Sequence, residues 1–336
     1  MLVCDQDTSV DSRRSRISEI KTARLALVIV FRLLKLPDYH SFSMYSAIDQ
    51  FQVQFWGVRG SIACPGKDTV RYGGNTPGVE MRVGTERLIF DAGTGIRLLG
   101  EQMVTEGRQD HSGHIFFSHS HWDHIQGFPF FTPAFMAGNR FDIYGGLTAN
   151  GISIQERLNT QMMDPNFPVP LKIMGAEMSF HNLAIGEVVN IGKVAVTSAP
   201  LNHPGGATGY RVNYADRSAA YVTDTEHRLG ERDADVLKFI QGVDLFIYDC
   251  TYTDAEYSNS TNSKVGWGHS TWQEGVRLAA AAGVKELVIF HHDPSHNDLF
   301  MDEIARSAKK MFAGAMVAQE GKVCDLLANN SSVSLC

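Results

Sequence analysis

"FFSHSHWDHIQG", Phe116 to Gly127, follows a short apolar run with His119, His121, Asp123 and His124 inside six residues. Imidazole and carboxylate are the protein ligands of zinc and related ions, and four of them at H-x-H-x-D-H spacing need a backbone that aims several at one place. His119 and His121 alternate as residues at a strand end do, so they share a side. Asp123 and His124 begin the next helix and turn toward a second point a few ångströms away. A lone histidine would carry little weight; this cluster asks for matching ligands elsewhere in the chain.

Those ligands occur where strands give way to loops. His203 follows "VAVTSAPLN", Asp224 ends "AAYVTD" and His291 ends "ELVIF". Loops at strand ends are where α/β folds collect their sites. His119, His121 and His203 can hold one ion, Asp123, His124 and His291 a second, and Asp224 can bridge them. Two such ions would clamp the attacking and leaving oxygens of a hydrolytic displacement and generate hydroxide near neutral pH.

Around this motif the pattern alternates short strands, glycine turns and helices, as in a layered α/β fold. "FQVQFWG", "GVEMRVG", "RLIFDAG" and "HIFFSHS" read as strands, with helical periodicity over 95–106 between the last two. A second strand-rich half follows in "EVVNIGKVAVTSAP", "ATGYRVNYADRSAAYVTD", "DLFIYDCTY" and "ELVIFHHD". Helices are expected near 152–161, 271–282 and 299–312, and "AMVAQEGKVCDLL" reads as a hairpin. Residues 128–180, rich in Phe, Pro and Met, read as a lid. The domain is expected over 44–326, with residues 1–43 an N-terminal extension that need not belong to the core and 327–336 a frayed tail.

Composition narrows the partners. The 336 residues carry 30 Lys+Arg against 37 Asp+Glu, a formal charge of −7, so no overall positive field gathers nucleic acid or anionic membrane. Five scattered cysteines without C-x-x-C spacing suit neither a disulfide framework nor a cysteine zinc site, and a cytoplasmic setting is expected. "LALVIVF", Leu25 to Phe31, is far short of the roughly 20 apolar residues that span a bilayer, and no small-residue cleavage site follows it. Neither membrane insertion nor export is expected, and a homodimer is allowed.

The motif and its downstream His, Asp and His resemble the metallo-β-lactamase superfamily, through His119, His121, Asp123, His124, His203, Asp224 and His291. The resemblance covers about residues 51–326. It implies an αββα sandwich, an α/β layered fold of two mixed β-sheets flanked by helices, with two divalent ions at one edge. Zinc is the default; manganese or iron also suits such a donor set. Asp91 in "LIFDAGTG" matches the family's early strand-end aspartate, which implies support of the metal loop.

Because the superfamily hosts several chemistries, local residues must choose the bond. "WGHSTWQEG" places His269 before a helix and is similar to the G-H-S-T segment of tRNase Z and its phosphodiesterase relatives, where the histidine assists the leaving oxygen; a helix-cap neighbour is the plain alternative. "IYDCTY" resembles that branch's H-E-A-T segment, with Asp249 at the acidic position as partner of His269, or else a turn cap. Thr251 stands at the threonine and Tyr248 departs from the first histidine. Asp123, His269 and Asp249 are thus the candidate catalytic residues.

"FWGVRGS" and "VRYGGNTP" put Arg59, Arg71 and Asn75 among glycines, where they can clamp a phosphate or serve the fold. His292 and Asp293 can orient ligands or simply pack. No extended basic arm is visible for tRNA. The expected substrate is therefore a small phosphodiester resembling a cyclic nucleotide, with "FPFF" and "MMDPNFPVP" as an apolar wall or lid packing. A tRNase Z-like RNA endonuclease, a thioester or lactam hydrolase, a redox di-iron centre and a metal-dependent ligand sensor are the alternatives.

Overall fold

The computed structural model describes residues 49–108, 110–328 and the backbone of 334–335. The extension over 1–43 lies outside the described residues, and the account concerns the compact unit that begins at Ala47.

Two sheets face each other. The first takes β1 (Phe51–Gly57), β2 (Gly78–Val83), β3 (Glu86–Phe90), β4 (Ser112–Phe117), β5 (Arg140–Gly146), β6 (Glu177–Leu183), β14 (Val323–Asp325) and β15 (Ser334–Leu335), in the order β15-β14-β1-β2-β3-β4-β5-β6. The second takes β7 (Val188–Ile191), β8 (Val194–Leu201), β9 (Ala207–Tyr214), β10 (Arg217–Val222), β11 (Leu245–Asp249), β12 (Glu286–Phe290) and β13 (Ala315–Val317), in the order β13-β12-β11-β10-β9-β8-β7. Each is mixed: β1, β2 and β3 pair antiparallel and β3 to β6 parallel, while β7 to β10 pair antiparallel and β10 to β13 parallel.

Alternation sets which side chains meet. Phe51, Val53 and Phe55 of β1 point inward with 0% exposure and join Phe90, Phe116, Tyr210, Tyr221 and Phe290 between the sheets. Phe90 stacks on Phe116 at 5.4 Å between centroids, and Phe116 on Tyr144 at 4.5 Å. Truncating one such ring would cost about 3–5 kcal/mol through lost burial and the cavity left behind.

Helices cover both outer faces. Gly95–Thr105 and Ile154–Gln161 pack on the first sheet, and Ala234–Phe239, Trp272–Ala282 and Asp298–Met311 on the second. The expected helix boundaries hold to within two residues because capping residues mark them. Ser153 and Glu156 form a reciprocal capping box, Thr271 Oγ1 accepts from Glu274 N at 3.1 Å, and Gly283 ends its helix at φ 65°.

Three expectations fail. Residues 128–180 are not a detached lid: β5 lies inside the first sheet between β4 and β6, and Phe128, Phe131 and Ala134 are buried beneath the helix Gly95–Thr105. The paired glycines of "RFDIYGG" hid that strand. The stretch read as a hairpin divides between the sheets, because β13 and β14 pair with strands on opposite layers. Within the tail read as frayed, the described residues Ser334 and Leu335 instead pair with Asp325 and Cys324 of the first sheet. Among the described residues no helix is long and apolar enough to cross a membrane.

Candidate metal centre

Ligand-type side chains converge where strands of both sheets end on the same edge of the sandwich. Asp91 follows β3, His119 follows β4, His203 follows β8, Asp224 follows β10, Asp249 ends β11 and His291 follows β12. Asp91, Asp224 and His291 hold positive φ of 59°, 54° and 63°. A non-glycine residue in that region costs about 1–3 kcal/mol and persists only where its surroundings over-determine it.

The seven residues expected from the sequence fall into two linked groups. His119, His121 and His203 offer nitrogens within 4.8 Å of one another, and Asp123, His124 and His291 do the same. Asp224 stands between them. Its Oδ1 lies 3.7 Å from His119 Nε2 and 3.8 Å from His203 Nε2; its Oδ2 lies 3.2 Å from His124 Nε2 and 3.5 Å from His291 Nε2. Each carboxylate oxygen faces one group.

Hydrogen bonds on the far side of the rings select the nitrogen that faces the centre. His203 Nδ1 donates to the Gly268 carbonyl at 2.7 Å, and His124 Nδ1 donates to Asp91 Oδ2 at 2.8 Å. His291 Nδ1 lies 3.0 Å from Thr251 Oγ1, which donates to Asp249 Oδ1 at 2.7 Å. Such partners fix the tautomer and raise the basicity of the remaining nitrogen. Asp91 also accepts from Ser118 N, Ser118 Oγ and Tyr221 OH at 2.7, 2.7 and 2.8 Å, so its carboxylate is held rigidly.

The donor set fits divalent cations on grounds internal to the chain. His119 Nε2 and His124 Nε2 are buried without any hydrogen-bond partner, although a buried polar atom left unpaired is costly. Four carboxylates, Asp91, Asp123, Asp224 and Asp249, are buried around the same point. Burial pushes His119 well below the ordinary imidazole range. At His124 burial acts the same way, but Asp224, Asp123 and Asp91 outweigh it and drive the ring well above that range. Burial opposes ionisation of Asp123 and Asp224 too, yet the adjacent imidazoles hold both below the carboxylate range. The site demands positive charge, and divalent ions would meet that demand with the free nitrogens as ligands.

His269 lies beside this centre. Its Nδ1 donates to Asp249 Oδ2 at 2.9 Å, its ring stacks on His291 at 4.9 Å between centroids, and its side chain is 12% exposed. Burial lowers its basicity, but the Asp249 carboxylate overrides that and raises the pKa to about 9. Asp249 therefore orients His269 directly and His291 through Thr251.

Arg59, Asn75 and His292 do not face the cradle, and Arg71 is likewise committed elsewhere. Arg59 is wholly buried and donates to the carbonyls of Gly73, Asp293 and His296 at 2.9, 3.1 and 2.6 Å. It braces the loop and is no phosphate clamp. Asn75 is held by Glu320 through its amide N–H and side chain, Arg71 by Asp302, and His292 donates to the Ala318 carbonyl at 3.0 Å. These contacts still serve the site, since the same loop brings Ser61 N to 2.7 Å from Asp123 Oδ2. A Cβ on Gly60 would lie 2.4 Å from His291 Cε1, so only glycine permits that approach. The sequence reading missed Ser61, Ser118, Tyr221 and the Gly268 carbonyl. Backbone groups carry no residue signature; only Ser118, inside the motif, stood where a signal could have been read.

A family model described as a β-lactamase superfamily domain matches residues 86–292. A ribonuclease Z of Myxococcus xanthus is 23% identical over 301 residues, covering 75% of this chain and 92% of that protein. Among solved structures, the metallo-β-lactamase fold protein YhfI from Bacillus subtilis aligns with a TM-score of 0.61 at 19% identity, over 83% of this chain and 100% of that one. A diphosphatase of the PhnP family aligns at 0.58 and 22% identity, over 82% and 97%. Both structural matches support the two-sheet sandwich.

Proposed function

The chain belongs to the β-lactamase superfamily, and on that premise we propose that it is a metal-dependent phosphodiesterase that cleaves a small phosphodiester of the cyclic-nucleotide kind. The observation that carries this reading is the His269–Asp249 pair, 2.9 Å apart at the edge of the metal cradle. Hydrolysis of a lactam or thioester would not require it.

His119, His121 and His203 would hold one ion and Asp123, His124 and His291 the other, with Asp224 shared. Zinc suits this nitrogen and oxygen donor set, as do manganese and iron. Divalent ions held there would supply a water nucleophile at neutral pH and neutralise the phosphoryl oxygens. The protein's own part is positional and acid–base. Ser61 N–H, His124 and His291 fix Asp123. Asp249 holds the Nδ1 proton of His269, which leaves Nε2 to deliver a proton to the departing ester oxygen. A cytoplasmic setting accords with the free thiols of Cys64, Cys250 and Cys324.

The test is turnover of a chromogenic phosphodiester beside a cephalosporin and an acyl thioester by the metal-loaded protein. Hydrolysis of the phosphodiester alone is expected. Preferential turnover of either other substrate would overturn the assignment.

A second reading, an RNA endonuclease, is favoured by the ribonuclease Z relative, which is matched over nearly its whole length. Against it, Arg157, one of the two arginines of the segment 128–180, is engaged within the fold, where it donates to Ser120, Ser153 and Gly146. A precursor tRNA assayed alongside a cyclic nucleotide separates the two.

A further inference from the structure

Two of the chain's four tryptophans are exposed, and both adjoin residues of the cradle. Trp122, 81% exposed, follows His121, while Trp267, 57% exposed, precedes Gly268, whose carbonyl takes the His203 Nδ1 proton. His121 Nδ1 and His203 Nε2 lie 3.0 Å apart, so each tryptophan is a chain neighbour of a residue tied to the same ligand group.

Trp267 stands on a pinned loop. Glu226, two residues beyond Asp224, accepts from Gly266 N at 2.6 Å, Gly268 N at 2.9 Å and Tyr257 OH at 2.7 Å. Gly266 and Gly268 sit at φ 91° and 86°, and a Cβ on Gly268 would lie 2.5 Å from His203 Nδ1. The loop is thus pressed against a candidate ligand, and Trp267 is the residue immediately before the glycine that makes this approach.

One face of that indole is covered. The Lys264 ammonium lies 4.3 Å from its ring centroid and 5.7 Å from the centroid of Tyr252, whose ring is 6.2 Å from that of His269. Cation–π attraction holds an ammonium in place without neutralising it, and the Glu226 carboxylate bonds the backbone of the same loop at Gly266 and Gly268. Trp267 is thus 57% exposed with an ammonium over its ring, two residues before His269. Burying an indole is ordinarily favourable, so an immobilised, exposed one beside a reactive site offers a stacking surface.

We propose that Trp267, backed by Lys264, is the platform on which an aromatic ester group of the substrate stacks, and that this group is a nucleoside. The proposal deepens the phosphodiesterase reading and rests on it: the phosphate would lie in the cradle, the base on the Trp267 ring, and the Lys264 charge beside the anionic ester. Stacking on an aromatic side chain commonly changes affinity about 10-fold or more per base.

Equilibrium binding of thymidine 5′-monophosphate and of methyl phosphate to the full-length, metal-loaded protein tests this by calorimetry. The wild type is expected to prefer the nucleotide. Trp267→Ala is expected to lower the ratio of the two affinities about 10-fold, Trp267→Phe to restore most of it, and Lys264→Met to lower it by less than Trp267→Ala. No preference in the wild type, or an unchanged ratio in Trp267→Ala, would overturn the platform. Because binding is read without turnover, wild-type protein that prefers the nucleotide yet hydrolyses no phosphodiester would count against the enzymatic reading alone.

Discussion

The two halves of the cradle differ in what lies behind them. His124 and His291 are wholly buried, and each is fixed by a side chain that is itself fixed: Asp91 accepts four hydrogen bonds, and Thr251 is tied to Asp249. On the other half His121 is exposed, and His203 is fixed by a single carbonyl on the loop that bears Trp267. The buried half is built by the sandwich, while the open half leans on the loop that bears Trp267. A metal would thus sit rigidly on one side and adjustably on the other.

Breaking the bridge between the halves should have the largest effect. Asp224→Ala removes the carboxylate that faces both groups, and kcat/KM for a phosphodiester is expected to fall by about 10³-fold or more. Steady-state kinetics after metal reconstitution check this; near-normal turnover would separate Asp224 from the chemistry.

Asp249→Asn comes next. It removes the charge that raises His269, and kcat is expected to fall about 10²- to 10⁴-fold. The sign of the pH effect follows from the shift: a proton donor whose pKa is raised to about 9 is competent below that value, and activity declines as pH rises through it. Cations held nearby act oppositely and place the limb at or below about 9. In Asp249→Asn the limb should move down toward the ordinary imidazole value of about 6.5. An unmoved limb in the pH–kcat profile would remove His269 from the role of acid.

The difference between the halves is sharpened by Asp91→Asn beside His121→Ala. Asp91→Asn should weaken binding of one ion about 10- to 100-fold by loosening His124, and His121→Ala should weaken the other. Competition with a chelator should therefore show the loss on opposite sites. If both variants lost the same ion, the division drawn from the geometry would be wrong.

Arg59→Met should have the smallest effect on activity and a clear one on stability. It leaves the carbonyls of Gly73, Asp293 and His296 without their buried donor, a loss of about 3 kcal/mol by denaturant titration.

What could be read beforehand follows the same division. The seven cradle residues were legible because a metal admits few donor types and strand ends impose their spacing. His269 and Asp249 were legible only through resemblance, since neither the H-S-T nor the D-C-T segment states which carboxylate meets which ring. Arg59, Asn75 and His292 were left between a ligand-binding and a structural role because a glycine-rich loop looks alike whether its arginine points outward or is buried under three carbonyls. Ser61 was invisible, because its contribution is a backbone N–H, which carries no side-chain signature. Strand β5 was lost because its glycine pair reads as a turn, whereas parallel neighbours on both sides hold it in the sheet.

The central claim is that both halves hold cations at once through the shared Asp224. Elemental analysis of protein reconstituted with zinc and freed of loose ions tests it directly. The account predicts about two ions per chain, and a lower content in Asp224→Ala. Wild-type protein that retains none, or an Asp224→Ala variant that retains the full content, would contradict it.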